Sequence, residues 1–247
     1  MVETRIPNFS NPGNEKVSFK KKSAMQSRMT SFFGVLTLCL FTAVSLSAQK
    51  WGARIKGEGP KVTKELNVDA FTGIGLSVSG KVYLTKGSTQ SVKVEGQANM
   101  IDNLDLEVKD NTWSIEFKDK ADHYESLVFH ITLPDLHALS IAGSGSIIGE
   151  SAFNNLDKLS LSIAGSGDIM LDGSADEVKV SIAGSGDIKS SGLKADKCKV
   201  SIAGSGDCTI EVAEDLNVSI AGSGDVHYKG RPRIKTSIAG SGKVESL

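Results

Sequence analysis

The sequence predicts an all-β fold: a right-handed parallel β-helix with coils of about 18–22 residues and an irregular N-terminal capping half. Three observations carry this. The stretch Ser162-Ile163-Ala164-Gly165-Ser166-Gly167-Asp168 recurs almost letter for letter, with its central isoleucine at Ile141, Ile163, Ile182, Ile202, Ile220 and Ile238. Self-similarity at such a period is the mark of a repeat architecture. Each copy is flanked by strict alternation, Leu159, Leu161 and Ile163 before the glycines and Ile169 and Leu171 after them, which is the period of a half-buried strand. The glycines keep the phase of the alternation, so they read as corners too tight for an inward side chain.

One coil buries too few aliphatic side chains to offset the entropy of ordering its backbone. Stacked at about 4.8 Å, neighbouring coils share backbone hydrogen bonds and one continuous aliphatic core. Parallel stacking therefore follows from the repeat itself.

In chain order, residues 1–48 read as a leader and signal peptide. Lys20, Lys21, Lys22 and Arg28 precede an apolar run from Phe32 to Leu46, and Ser45, Ser47 and Ala48 supply the small residues of a cleavage site near Ala48. The run is short for a bilayer span, so no membrane span is expected in the mature chain. Cys39 follows Leu38, where a lipoprotein acceptor would follow a small residue, and lipid attachment is not expected. Residues 49–65, rich in Lys and Gly, read as a tether or a loose first coil, and 66–247 as the β-helix domain.

From Leu66 to about Pro134 the repeat is worn. Ile74, Leu76 and Val78 alternate, Gly80 echoes a corner glycine, and Val82 and Leu84 resume inward. Further strands are expected at Val92 and Val94, at Leu104 to Val108, at Trp113 to Phe117 after the Asp110-Asn111 turn, and at Leu127 to Leu133. One helical turn is expected at Ala98–Asn103. The aromatic residues concentrate here, as expected of a cap that must cover the open core of a solenoid. At the other end, Arg231-Pro232-Arg233 and Lys243 place charge and a proline on the last coil, which discourages edge-to-edge pairing.

The net charge of −1 gives no electrostatic reason to bind nucleic acid or an anionic membrane. Cys198 falls in the phase of Leu159 and Val178, and Cys208 in that of Ile169 and Ile188, so both read as free core thiols rather than a disulfide.

With Phe71-Thr72-Gly73-Ile74, the alternating strands through Phe117 and the serial Ile-Ala-Gly-Ser-Gly-Asp copies in view, the chain resembles the putative auto-transporter adhesin, head GIN domain family over roughly Val68 to Val244. The resemblance implies a β-helical envelope or secreted protein of a kind common in gut-type Gram-negative bacteria. It brings no residue-level site with it. Self-translocation would need a C-terminal run of membrane-barrel strands, and none is expected after the last coil.

The parity of the coils sets out a candidate binding face: Ser162, Ser181, Ser201 and Ser219; Ser166, Ser185, Ser205 and Ser223; and Asp168, Asp187, Asp207 and Asp225, with an alanine column between the two serine columns. The strip reads as flat, small and regularly hydroxylated. Its bland role is to accept hydrogen bonds from corner amides, for which Asp and Ser are suited. Its functional role is a weak site repeated at each coil. Because the coils are near copies, no aspartate is singled out for acid–base chemistry, and neither a catalytic residue, a cofactor nor a metal is expected. The resemblance to a calcium-binding nonapeptide fails because the Asp comes one residue early and the period is doubled. The expected function is an exported, non-catalytic module in the periplasm, on the outer surface or secreted, meeting a polysaccharide, an extracellular-matrix or cell-surface protein, or a copy of itself. The alternative is a polysaccharide-active β-helix enzyme, a lyase or hydrolase, with its site in the irregular half.

Overall fold

The computed structural model describes residues 54–247; the leader and signal segment expected over 1–48 lies outside them. The first half contains β1 (Ile55–Lys56), β2 (Lys61–Glu65), β3 (Gly73–Leu76), β4 (Gly80–Lys86), β5 (Ser91–Gln97), α1 (Ala98–Asp102), β6 (Val108–Lys109), β7 (Thr112–Ile115), β8 (Ala121–Asp122) and β9 (Leu127–Leu133). The stacked coils follow as β10 (Ala138–Gly143), β11 (Ser146–Gly149), β12 (Phe153–Gly165), β13 (Asp168–Met170) and β14 (Gly173–Gly184). They continue as β15 (Asp187–Gly204), β16 (Cys208–Gly222), β17 (Val226–Lys229), β18 (Arg233–Gly240) and β19 (Val244–Ser246).

The repeat stacks as a β-solenoid in parallel register. Ile141 lies opposite Ile163, and the column runs on through Ile182, Ile202, Ile220 and Ile238. Beyond the corner a second ladder sets Ile147, Ile169, Ile188, Cys208, Val226 and Val244 in line. Both columns face the core, and Ile163, Ile182, Ile202 and Ile220 are buried. Cys198 stands between Val178 and Leu216 in a third column, and both cysteines are buried free thiols. Burial pushes the Cys198 thiol up to about 12, and burial, followed by the nearby Cys198 and Asp207, raises that of Cys208 well above its ordinary value.

The worn copy is a true coil. Ile74 pairs with Leu139, Leu76 with Ile141 and Val82 with Ile147, all in parallel. On its other side lie β7 and β9, with Trp113 opposite Ile74 and Phe129 opposite Val82. The chain thus leaves the coil at β4, returns beyond it as the outermost layer, and then crosses back to begin β10. β5 closes this end by pairing antiparallel with β9, and β2 with β5. Trp113 and Phe129 are fully buried beneath, their rings edge-on with centroids 6.0 Å apart, and the indole N–H donates to the carbonyl of Asp105 at 2.9 Å. A ring that large fills the end of the core while keeping its polar atom satisfied. α1 adds Met100 and Ile101 to the cap.

Three sequence expectations are corrected. Residues 49–65 are not a loose tether throughout: Lys61–Glu65 is a strand on the cap, with Val62 packed against the core and Lys64 paired to Asp102. Its single apolar residue gave little periodicity, and its order comes from backbone bonds to β5. The corner glycines answer to the neighbouring coil more than to the sharpness of their own turn. Gly165 has φ +134 and a side chain there would lie 2.3 Å from the carbonyl oxygen of Gly143; Gly167 has no such φ, yet its Cβ would lie 2.4 Å from that of Gly145. Lastly, the strip of Ser, Ala and Asp columns is not flat, as its geometry makes plain.

Candidate functional site

All twelve candidate residues fall on one side of the stack, in columns one coil apart. Ser162, Ser181, Ser201 and Ser219 are directly opposite one another in the ladder, one residue before the buried isoleucines. The alanines one residue beyond the isoleucines are exposed. Ser166, Ser185, Ser205 and Ser223 occupy the bend itself and are exposed in every coil. Asp168 and Asp187 open the next ladder in register, and Asp207 and Asp225 take the same place. The site therefore wraps a corner: two columns on one sheet, a ridge of hydroxyls along the bend, and a carboxylate column on the adjoining sheet.

The carboxylates are half-buried and have work within the fold. The carboxylate of Asp187 accepts the backbone N–H of Asp207 at 3.0 Å, that of Asp207 accepts Asp225 at 2.7 Å, and that of Asp225 accepts Lys243 at 2.8 Å. In the earlier coils the same amide, that of Asp168 or Asp187, donates to the carbonyl of Gly145 or Gly167; from Asp207 on, the side chain one coil back supplies the acceptor. The serines play no equivalent part through their backbone-directed geometry: the amides of Ser166, Ser185, Ser205 and Ser223 donate to glycine carbonyls of the preceding coil. Their hydroxyls are left facing solvent.

Lys189, which sequence reasoning missed, bridges the first two carboxylates at 3.3 Å from each. Burial lowers the pKa of its ammonium, while hydrogen bonds and charges from Asp168 and Asp187 outweigh this and raise it. An ammonium thus stands where a cation would be drawn to the column. Among the described residues no three His, Cys, Asp or Glu side chains converge as metal ligands.

A second pattern also escaped the sequence reading. Five residues before each isoleucine, Lys158, Glu177, Lys197, Asp215 and Arg233 stack with alternating sign. Lys158 and Glu177 approach to 3.7 Å and Arg233 and Asp215 to 2.9 Å. Beside them Lys179, Lys199, Asn217 and Lys235 form a mostly basic column, and a surface groove of about 390 Å³ runs between the two. The signal was present at a constant offset from the isoleucine, but sign alternation emerges only once the register is known.

The model of the family described as "Putative auto-transporter adhesin, head GIN domain" matches residues 70–232. Among solved structures, a "putative adhesin" from Bacteroides fragilis is similar with TM-score 0.63 and 24% identity, covering 78% of this chain and 100% of that one. One from Parabacteroides merdae has TM-score 0.53 and 19% identity, covering 79% and 100%. A "putative lipid binding protein" from Parabacteroides distasonis has TM-score 0.51 and 23% identity, with the same coverage. Likeness at these identities speaks for the fold. No curated protein matches the chain.

Proposed function

We propose that this chain, which belongs to the head GIN domain family of auto-transporter-adhesin type, is an exported, non-catalytic binding module of the bacterial envelope or surface. Its ligand is a repeating partner, a polysaccharide or a matrix or cell-surface protein, held along the ridge of Ser166, Ser185, Ser205 and Ser223 and the columns beside it. The observation that carries the reading is registration. Four coils present the same exposed hydroxyl at the same corner, flanked by the same alanine and carboxylate. Catalysis calls for one distinctive constellation, whereas repetition multiplies a weak contact. Hydroxyls and carboxylates suit partners rich in hydroxyl and amide groups.

The test is to place the purified mature protein on glycan and extracellular-matrix arrays, and to assay the polysaccharides it binds for new reducing ends or unsaturated products. Retention without turnover is expected. Product formation would instead favour the polysaccharide-active enzyme.

A further inference from the structure

Among the described residues, the last coil presents an incomplete edge. β18 pairs with β16 along one side. Ser241 donates its N–H to Gly222, whose register partner is Gly240, so alternate residues back from Ser241 direct their peptide groups to β16. Ile234, Thr236 and Ile238 then direct theirs to the open side. These three also share the inward phase of Leu216, Val218 and Ile220. Leu216 and Ile220 are 0% and 1% exposed, but Ile234 and Ile238 are 40% and 41% exposed. The free hydrogen-bonding groups and the uncovered core thus lie on one strand.

We infer that this edge pairs with the same edge of a second copy, antiparallel, about a two-fold axis through Thr236. An antiparallel ladder sets residues with free peptide groups directly opposite each other, which leaves few registers. Centring on Lys235 would oppose two ammonium groups, which is destabilising. Centring on Ser237 would set Ile234 against Gly240 at the corner and lose an apolar pair. Centring on Thr236 sets Ile234 of each copy against Ile238 of the other, Thr236 against itself, Lys235 against Ser237 and Arg233 against Ala239. No cation then faces a cation. Pro232, which has no N–H, falls opposite Gly240, where the ladder stops.

A two-fold axis normal to this sheet keeps the inner face inward, so the two aliphatic cores join. The charges and proline that guard the edge against other strands therefore select one register rather than forbid pairing. At the opposite end of the stack β5, β7, β9 and α1 cover the core, so the contact is isologous and closes at two copies.

Two measurements on the mature chain decide this. Lys235 and Ser237 of opposite copies form a non-hydrogen-bonded pair, where Cα atoms lie about 4.5 Å apart, within disulfide range. The Lys235→Cys/Ser237→Cys double variant should oxidise to a covalent dimer, whereas either single variant should remain monomeric on denaturing gels. Thr236→Pro removes a free-side N–H, which an edge strand tolerates, so it should keep the wild-type circular dichroism and unfold cooperatively, though at a lower temperature than the dimer. In sedimentation equilibrium the wild type should reach twice the mass of Thr236→Pro. Equal masses up to the solubility limit would overturn the inference. Cross-linking by Lys235→Cys alone, at the rate of the double variant, would overturn it as well.

Discussion

The carboxylate of Asp187 accepts the backbone N–H of Asp207, one coil further on, at 3.0 Å. The bond repeats at Asp225 and Lys243, so three successive corner amides are satisfied by the aspartate one coil back. The amides of Asp168 and Asp187 donate instead to the carbonyls of Gly145 and Gly167. Stacked carboxylates about 4.8 Å apart repel by only about 0.9 kcal/mol per pair in a water-like dielectric. A charge-assisted hydrogen bond is worth about 1.5–3 kcal/mol, so the column is tolerated for the amides it serves.

Asp207→Ala should therefore lower stability by about 1–2 kcal/mol, since it strands the Asp225 amide. Asp207→Asn keeps an acceptor oxygen and should lose less than half as much. Urea unfolding of the two variants separates acceptor from charge; equal losses would show that charge alone matters.

Two corner glycines with similar backbones should behave differently. Gly143 (φ +122) has nothing near its missing Cβ, whereas at Gly204 (φ +136) a Cβ would lie 2.1 Å from the carbonyl oxygen of Gly184. Gly143→Ala should cost about 1–3 kcal/mol of backbone strain. Gly204→Ala must also push two coils apart and should melt distinctly lower. Matching melting temperatures would contradict the coil-contact explanation.

The solenoid was legible because one pattern repeats. With Ile163 inward, parity alone placed the serine and aspartate columns, and the cysteines among the aliphatic residues. The cap was less so. Nothing local in Thr112–Ile115 says that Trp113 stacks outside Ile74, because that pairing joins strands separated by β4, β5, α1 and β6. Lys61–Glu65 has one apolar residue and owes its place to a partner elsewhere in the chain. Of the site, the columns and the corner glycines among them could be read, but not that the corner folds the strip, nor the Asp187–Asp207 bond, which exists only between coils.

Ile202→Asp places a carboxylate in the middle of the isoleucine column, where Ile202 is buried between Ile182 and Ile220. Several kcal/mol of destabilisation is expected. A wild-type melting curve would mean that the inward assignment is wrong.

Cys198 and Cys208 should react with iodoacetamide only after unfolding, and without prior reduction. The folded thiols titrate higher than unfolded ones, at about 12 for Cys198. The unfolded chain therefore loses protons first, and stability should fall as pH rises above about 8.5, by up to about 1.4 kcal/mol per pH unit for each thiol. The Cys198→Val/Cys208→Val variant should lack that portion of the decline. Labelling in denaturant that requires a reductant would show a disulfide instead.

The central claim is that affinity comes from a hydroxyl and carboxylate corner repeated coil by coil. The most direct measurement is binding to intact cells or immobilised matrix while the corner is changed in one, two and then four coils, with Ser166, Ser185, Ser205 and Ser223 replaced by Ala and Asp168, Asp187, Asp207 and Asp225 by Asn. Circular dichroism serves as the control for folding. Apparent affinity should fall in steps, by tenfold or more over the series, because linked weak contacts multiply. Undiminished binding by a folded variant altered in all four coils would contradict the claim and leave this corner a purely structural device.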